Sequence, residues 1–246
     1  MSIYDTYCAT GHAWDASPEY LRTAHQWYRR QFGSVIPQNR DIRVVDLGCG
    51  PGYFVSWLVS SGYRNVIGVD GSPVLLAMAK ERGLPTVQDD ILNYLEVNTG
   101  GVDVISLFHV LEHFSLDEAH HLMRLINRNL NKGGLCLVAV PNVMAPFPVN
   151  AYGDISHRLY FSWLSLRQLL VSAGFTKVDY LSPYEVVGRS LRSRLRHGLT
   201  RTYLMGCRVV DGLVNGFSDM NQRPLDRQLI AVCRQGDAGV FDSLRI

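Results

Sequence analysis

The sequence predicts an α/β fold in which a doubly wound, parallel sheet carries helices on both faces. Three observations predict it. Apolar, β-rich runs alternate with helix-like stretches between Ile42 and Leu181, the pattern of a parallel sheet. Those runs are apolar almost without a break, as strands covered on both sides should be. A glycine-rich turn, Gly48-Cys49-Gly50-Pro51-Gly52, follows the first run directly, where an open α/β sheet binds its ligands.

Each element has its own signature. Pro18 to Phe32 reads as an amphipathic helix inside an N-terminal arm, residues 1–40, ahead of the sheet. The core occupies residues 41–182. Ile42 to Leu47 is its first strand and Tyr53 to Ser61 the helix that follows. Asn65 to Asp70 is a second strand. Ser72 is placed to cap a helix that has Pro73 at its first position and runs to about Arg82. Thr86 to Gln88 is a short strand and Val102 to Phe108 a longer one. Leu116 to Leu130 is a helix that Lys132-Gly133-Gly134 closes. Leu135 to Val140 is a strand that Pro141 stops. Ser165 to Ala173 is a helix ended by Gly174, and Phe175 to Leu181 a strand. Residues 183–225 are a helical insertion, and Gln228 to Cys233, within residues 226–246, is the last strand.

Composition narrows the function classes. Of 246 residues, 47% are hydrophobic and 19% charged, which excludes a disordered chain and suits one domain. The formal net charge of +2 does not mark a general nucleic-acid binder. The five cysteines (Cys8, Cys49, Cys136, Cys207 and Cys233) include no C-x-x-C pair, so zinc or redox chemistry is not indicated. They fit a reducing, cytoplasmic setting. Residues 1–15 are polar and aromatic rather than signal-like. No run approaches the roughly 18 apolar residues of a membrane span.

The segment Asp46-Leu47-Gly48-Cys49-Gly50-Pro51-Gly52-Tyr53 joins strand to helix. Glycines let the backbone bend and approach a ligand, and the following helix points its free N–H groups at it. The third glycine of a dinucleotide fingerprint is absent, since Tyr53 stands there. Asp46 favours a ligand with an ammonium or sulfonium charge and opposes phosphates. Asp70, twenty residues after Gly50, can accept hydrogen bonds from ribose hydroxyls. Asp90-Ile91, with Asp89 as a substitute, can hold an adenine amino group.

On these residues, with Val69-Asp70-Gly71-Ser72 and Asp103-Val104-Ile105-Ser106-Leu107, the chain resembles the class I S-adenosylmethionine-dependent methyltransferases over about Ile42 to Leu181. The resemblance implies a Rossmann-like, seven-stranded, mostly parallel sheet whose last strand is antiparallel. It implies S-adenosylmethionine as cofactor. Asp46, Gly48, Cys49 and Gly50 would line the methionine part. Asp70 and Gly71 would meet the ribose, Asp90 and Ile91 the adenine. Phe108 and His109 would sit beside the methyl-bearing sulfur.

Phe108-His109-Val110-Leu111-Glu112-His113 leaves the fourth strand at the ligand edge. If it turns helical, His109, Glu112 and His113 share a face. For a hydroxyl acceptor His113 is a fitting base. Two imidazoles and a carboxylate could instead hold a divalent metal, with a further ligand from Asp154 to His157. The base needs no metal and is the primary expectation. Asp154-x-x-His157, Phe161-Ser162, Ser165-Leu166-Arg167 and Ala173-Gly174-Phe175 resemble a methyltransferase subgroup that modifies small molecules and bacterial surface glycans. Glu112, His113 and His157 are therefore the candidate catalytic residues. Ser165 could equally cap its helix and Phe175 be core.

The insertion has six arginines between Glu185 and Arg208 against that one acid, with Val187, Leu191, Leu195 and Leu199 at helical spacing. Three readings stand: contact with an anionic membrane surface or lipid-linked phosphate, contact with RNA, or leucines packed on the sheet or on a second copy in a homodimer. No aromatic interleaving supports base stacking, so nucleic acid is the weakest partner. Tyr4, Tyr7, His12 and Trp14 could form a lid over the cofactor. The expected function is methyl transfer to a hydroxyl of a sugar, glycan precursor or small metabolite. The alternatives are RNA 2′-O-methylation and a non-catalytic, cofactor-binding subunit.

Overall fold

The computed structural model describes residues 17–183, 191–216 and 224–235. The aromatic N-terminal segment, Glu185 and Val187 lie outside them. The strands in chain order are β1 (Arg43–Leu47), β2 (Asn65–Asp70), β3 (Thr86–Gln88), β4 (Val102–Phe108), β5 (Leu130–Pro141), β6 (Phe175–Tyr180) and β7 (Gln228–Gln235). They form one sheet in the order β3-β2-β1-β4-β5-β7-β6. The pairs from β3 to β5 are parallel, and β7 runs antiparallel to both β5 and β6. The expected seven-stranded, mostly parallel sheet is therefore present.

The helices are α1 (Pro18–Phe32), α2 (Tyr53–Ser60), α3 (Pro73–Lys80), α4 (Ile91–Val97), α5 (Leu116–Asn129), α6 (Val149–Tyr152), α7 (Trp163–Ser172) and α8 (Leu191–Asn215). Both faces of the sheet are covered, and alternate residues of one strand serve opposite faces. Val45, Leu47, Ile105 and Leu107 join Leu122, Ile126 and Phe175 on one side. Val44, Val104 and Leu137 join Phe32, Phe54 and Trp57 on the other. This double burial is why the strands read as continuous apolar runs.

The sequence changes direction between β1 and β4, because β1 leads outward to β2 on one side and β4 leads to β5 on the other. Ligands bind at such a switch point, beyond the carboxyl ends of the strands. The glycine turn leaves β1 there, and His109 leaves β4 there.

Some boundaries differ from the expectation. Residues 130–134 extend β5 instead of closing a helix, because pairing with β4 takes the chain from Leu130 onward. The helix expected from Ser165 begins at Trp163. Ser162 is its cap, and Ser165 closes the box by returning a bond to the Ser162 N–H. A serine at that third position is an unusual partner for a capping box, which hides the start. Phe175 is core, at 2% exposure. α4 has no counterpart in the expectation, since seven residues are too few for a helical period to stand out.

Candidate active site

Asp46 is the penultimate residue of β1, in register between Gly68 of β2 and Ser106 of β4. Its side chain is buried, and Ser106 Oγ donates to Oδ1 at 2.7 Å. Burial pushes the Asp46 carboxyl up to about 7; the Ser106 bond offsets part of the rise, and Asp70 adds to it. A buried acid in this state is stabilised by a cation brought beside it.

The glycine turn follows. Gly48 and Gly50 have φ of +68° and +52°, where a side chain is strained. A Cβ on Gly48 would also lie 2.3 Å from Val110 Cγ2. The turn is thus packed directly against the segment leaving β4. Gly50 donates its N–H to Asp70 Oδ2 at 2.7 Å, and Ser72 donates to Asp70 Oδ1 at 2.8 Å. Asp70 therefore fastens the turn, and each of its oxygens keeps a lone pair for a hydroxyl. Burial raises its carboxyl, and the two N–H bonds hold it back. Cys49 points inward: a Cβ on Gly68 would fall 2.7 Å from its sulfur. Burial pushes its thiol far up, which makes Cys49 a packing residue of the turn.

Asp90 caps α4, with Oδ1 accepting from Leu92 N at 2.9 Å and Asn93 N at 3.2 Å. Ile91 opens that helix and packs, partly buried, on the core. Asp89 accepts from Asp90 N and from Asn93 Nδ2, each at 2.8 Å. Among the described residues a Cβ on Gly71 would meet only the Asp89 carbonyl, at 3.9 Å, so these residues leave the backbone between Asp70 and Asp89 open to a ligand.

α1 roofs this edge. Tyr28, Phe32 and Phe54 surround Phe108 with ring centroids 6.1, 5.2 and 5.0 Å away. Burial and then Asp46 push the Tyr28 phenol up. Arg82 donates to the carbonyl of Pro51 and so braces the turn from behind. Ser106, Tyr28 and Arg82 are not among the site residues expected from the sequence. Ser106 carries a legible signal, as a lone hydroxyl in an apolar strand. Tyr28 and Arg82 carry none.

The segment after β4 is not the helix that would place His109, Glu112 and His113 on one face. It is a single 3₁₀ turn, Leu111–His113. His109 precedes it with φ of +58°, a left-handed backbone that costs about 1–3 kcal/mol in a side-chain-bearing residue. Three bonds hold it there. Its N–H donates to Ala139 O at 2.9 Å, Nδ1 meets Glu112 Oε1 at 3.3 Å, and Nε2 meets Gln228 Oε1 at 3.1 Å. Gln228 brings the start of β7 into the site, a contribution no local pattern announces.

Glu112 is buried at 1% exposure. The loop after α6 closes over it, because Glu112 O accepts from Arg158 N at 2.8 Å and Leu159 N at 3.0 Å. That stitching brings His157 to the cluster. The His113 and His157 rings are 4.9 Å apart, edge to face. Ser156 Oγ donates to Asp154 Oδ1 at 2.6 Å and meets His113 Nδ1 at 3.0 Å. Burial pushes the His113 imidazole down and Glu112 pulls it back; His157 and His109 push it further down. The structure thus unites His109, Glu112, His113 and His157, and adds Ser156 and Gln228.

S-adenosylmethionine fits the neighbouring edge on this chemistry: a buried acid raised by burial, an open backbone beside Asp70, and a first helical turn in α2 whose cap, Gly52, has no side chain to satisfy it. Residues 18–180 match the family described as a methyltransferase domain. The chain is 33% identical over 138 residues to trans-aconitate 2-methyltransferase of Rhodopseudomonas palustris, covering 52% of this chain and 50% of that protein. It is 29% identical over 147 residues to an uncharacterized methyltransferase of Schizosaccharomyces pombe, covering 57% and 52%. It thus spans about half the length of these curated relatives. A methyltransferase structure from Archaeoglobus fulgidus superposes with a TM-score of 0.63 at 18% identity, covering 95% of this chain and all of that one. Phosphoethanolamine N-methyltransferase 2 of Haemonchus contortus, with S-adenosylmethionine bound, superposes at 0.62 and 18% identity over 96% of this chain and 60% of that one. The chain belongs to the methyltransferase-domain family, in its class I, S-adenosylmethionine-dependent form.

Proposed function

We propose that the protein transfers the methyl group of S-adenosylmethionine to a hydroxyl of a small molecule, with a sugar or glycan precursor as the acceptor class. One observation carries the reading. The Gly48–Val110 contact sets the cofactor acids and the imidazole–carboxylate cluster side by side at one switch point. Relatives named for trans-aconitate support a small-molecule acceptor.

S-adenosylmethionine, when bound, supplies a methyl group already activated by its sulfonium charge. The chain must add alignment and a destination for the acceptor's proton. Asp46 and Asp70 would hold the cofactor's charged and hydroxyl-bearing parts. Once held there, the sulfonium would supply the methyl carbon to the acceptor oxygen and take back the electron pair of its own carbon–sulfur bond. The acceptor proton leaves toward Glu112, His113 and His157, with Ser156 and Asp154 orienting His113.

Labelled methyl transfer to separate pools of sugar nucleotides, polyols, hydroxy acids, amines and RNA tests this. Label is expected in a sugar-hydroxyl pool, stable to mild base as an ether is. Label confined to amines, or to RNA, contradicts the reading.

α8 supports a peripheral contact with an anionic membrane surface. Leu191, Leu195 and Leu199 do not pack on the sheet; they are 71%, 59% and 72% exposed. Arg192, Arg194, Arg201 and Arg208 are exposed on the same helix. An amphipathic, basic helix of this kind lies in a lipid interface. No described helix is long and apolar enough to cross a membrane. Cosedimentation is expected with phosphatidylglycerol vesicles, not with phosphatidylcholine alone, and Leu195→Glu with Leu199→Glu abolishes it. A dimer dispersed by the same substitutions, without vesicle binding, would assign the face to a second copy.

A further inference from the structure

We propose that Glu112, His113 and His157 hold a first-row divalent cation on the acceptor side of the site. The proposal rests on the reading of that cluster as the acceptor's and deepens it.

Convergence is the first observation. One ligand atom from each residue lies within 4.8 Å of the other two. Bonds of about 2.1 Å to nitrogen and oxygen let a cation span donors roughly 3 to 4 Å apart. Small side-chain rotations close the set.

Glu112 supplies the second observation. Its carboxylate is buried, and Oε2 has no hydrogen-bond partner among the described residues. A buried carboxylate oxygen left bare is costly. A cation relieves that cost.

Ring orientation is the third. The one proton of Ser156 Oγ goes to Asp154, so Ser156 must accept from His113, and His113 Nδ1 carries the hydrogen. His157 Nδ1 lies 2.9 Å from the Ala151 carbonyl and must donate as well. With Nδ1 bearing the hydrogen, Nε2 is the ring atom placed to ligate in each. Metal-binding histidines are oriented in this manner, one nitrogen donating and the other ligating. His157 Nε2 stands 3.9 Å from Glu112 Oε1 and 3.9 Å from Asp154 Oδ2. The His157–Glu112 separation exceeds a hydrogen bond yet suits donors sharing a cation.

Two imidazoles with one carboxylate suit Mn²⁺, Fe²⁺, Co²⁺ or Zn²⁺ better than Mg²⁺ or Ca²⁺. With the cation bound, Glu112, His113 and His157 act as ligands in place of proton acceptors; the open coordination positions take the acceptor's oxygen, which the cation would anchor and make acidic enough to lose its proton to solvent.

The test is titration of chelator-treated protein with Co²⁺, read by its visible absorption and by calorimetry. S-adenosylmethionine affinity, measured in parallel, checks folding. The wild type is expected to bind one Co²⁺. Glu112→Gln and His157→Ala each weaken binding by at least about 30-fold, and Ser156→Ala by about tenfold, while cofactor affinity stays within about twofold. No binding by the wild type, or binding that Glu112→Gln leaves unchanged, overturns the proposal. Protein that methylates a hydroxyl without binding Co²⁺ keeps the proposed function and loses this site. Protein that binds Co²⁺ through Glu112 but methylates no hydroxyl keeps the site and loses that function.

Discussion

Near neutral pH the free protein holds Asp46 partly protonated, because burial has lifted its carboxyl to about 7. A cationic ligand favours the ionised form, so the bound state has the lower pKa. Affinity for S-adenosylmethionine therefore weakens as pH falls below about 7, by about tenfold per unit. Calorimetric Kd values across that range check this. Ser106→Ala removes the bond that offsets part of the rise and moves the break to higher pH. Stability of the ligand-free fold has the opposite sign. The folded pKa exceeds the unfolded one, so the Asp46 contribution is present below about pH 4 and lost as pH rises through about 7. At Gly48 both φ and space forbid a side chain. Gly48→Ala is expected to cost about 2–4 kcal/mol in thermal unfolding. Adding Val110→Ala, which removes the colliding methyl, recovers part of the loss and leaves the backbone strain.

Among the elements, β5 and β7 are locked by one side chain. Asn142, 1% exposed, donates to Pro224 O and Asp226 O at 2.8 Å each and accepts from Met144 N at 2.9 Å. Asn142→Ala strips three hydrogen bonds, the one to Pro224 O fully buried, and is expected to cost about 2–4 kcal/mol in chemical unfolding. Because β7 also carries Gln228, the change should disturb His109 as well. Elements with strong local signals were legible in the sequence. Pro18–Phe32, Asn65–Asp70, Thr86–Gln88 and Val102–Phe108 have the expected bounds, and Ser72 caps α3 as its hydroxyl suggests. Elements fixed by tertiary pairing were not. The pull of β4 on Leu130 overrides a Lys-Gly-Gly stop, and α4 rests on the Asp90 cap rather than on a period.

Across the whole molecule, the site is a product of topology. Asp46 and Asp70 lie in β1 and β2 and His109 directly follows β4, and they come to one edge because the parallel strands end there. The acids and the glycine turn were legible because their chemistry is local to each strand end. The cluster around Glu112 was legible only as a set of residue types. The sequence offers a helix face for His109, Glu112 and His113, whereas the chain makes a 3₁₀ turn and recruits His157 through backbone bonds from Arg158 and Leu159. Such long-range closure leaves no periodic trace. α8 shows the same limit in reverse: its leucine spacing is plain, but only the structure shows them facing outward.

The proposed function requires the cofactor edge and the Glu112 cluster to do separate work. The single-turnover rate of methyl transfer by Glu112→Gln at saturating S-adenosylmethionine, with its cofactor Kd, tests this most directly. The expected result is a rate reduced by at least about 100-fold with a Kd close to that of the wild type. A wild-type rate, or a Kd that collapses together with the rate, would contradict it.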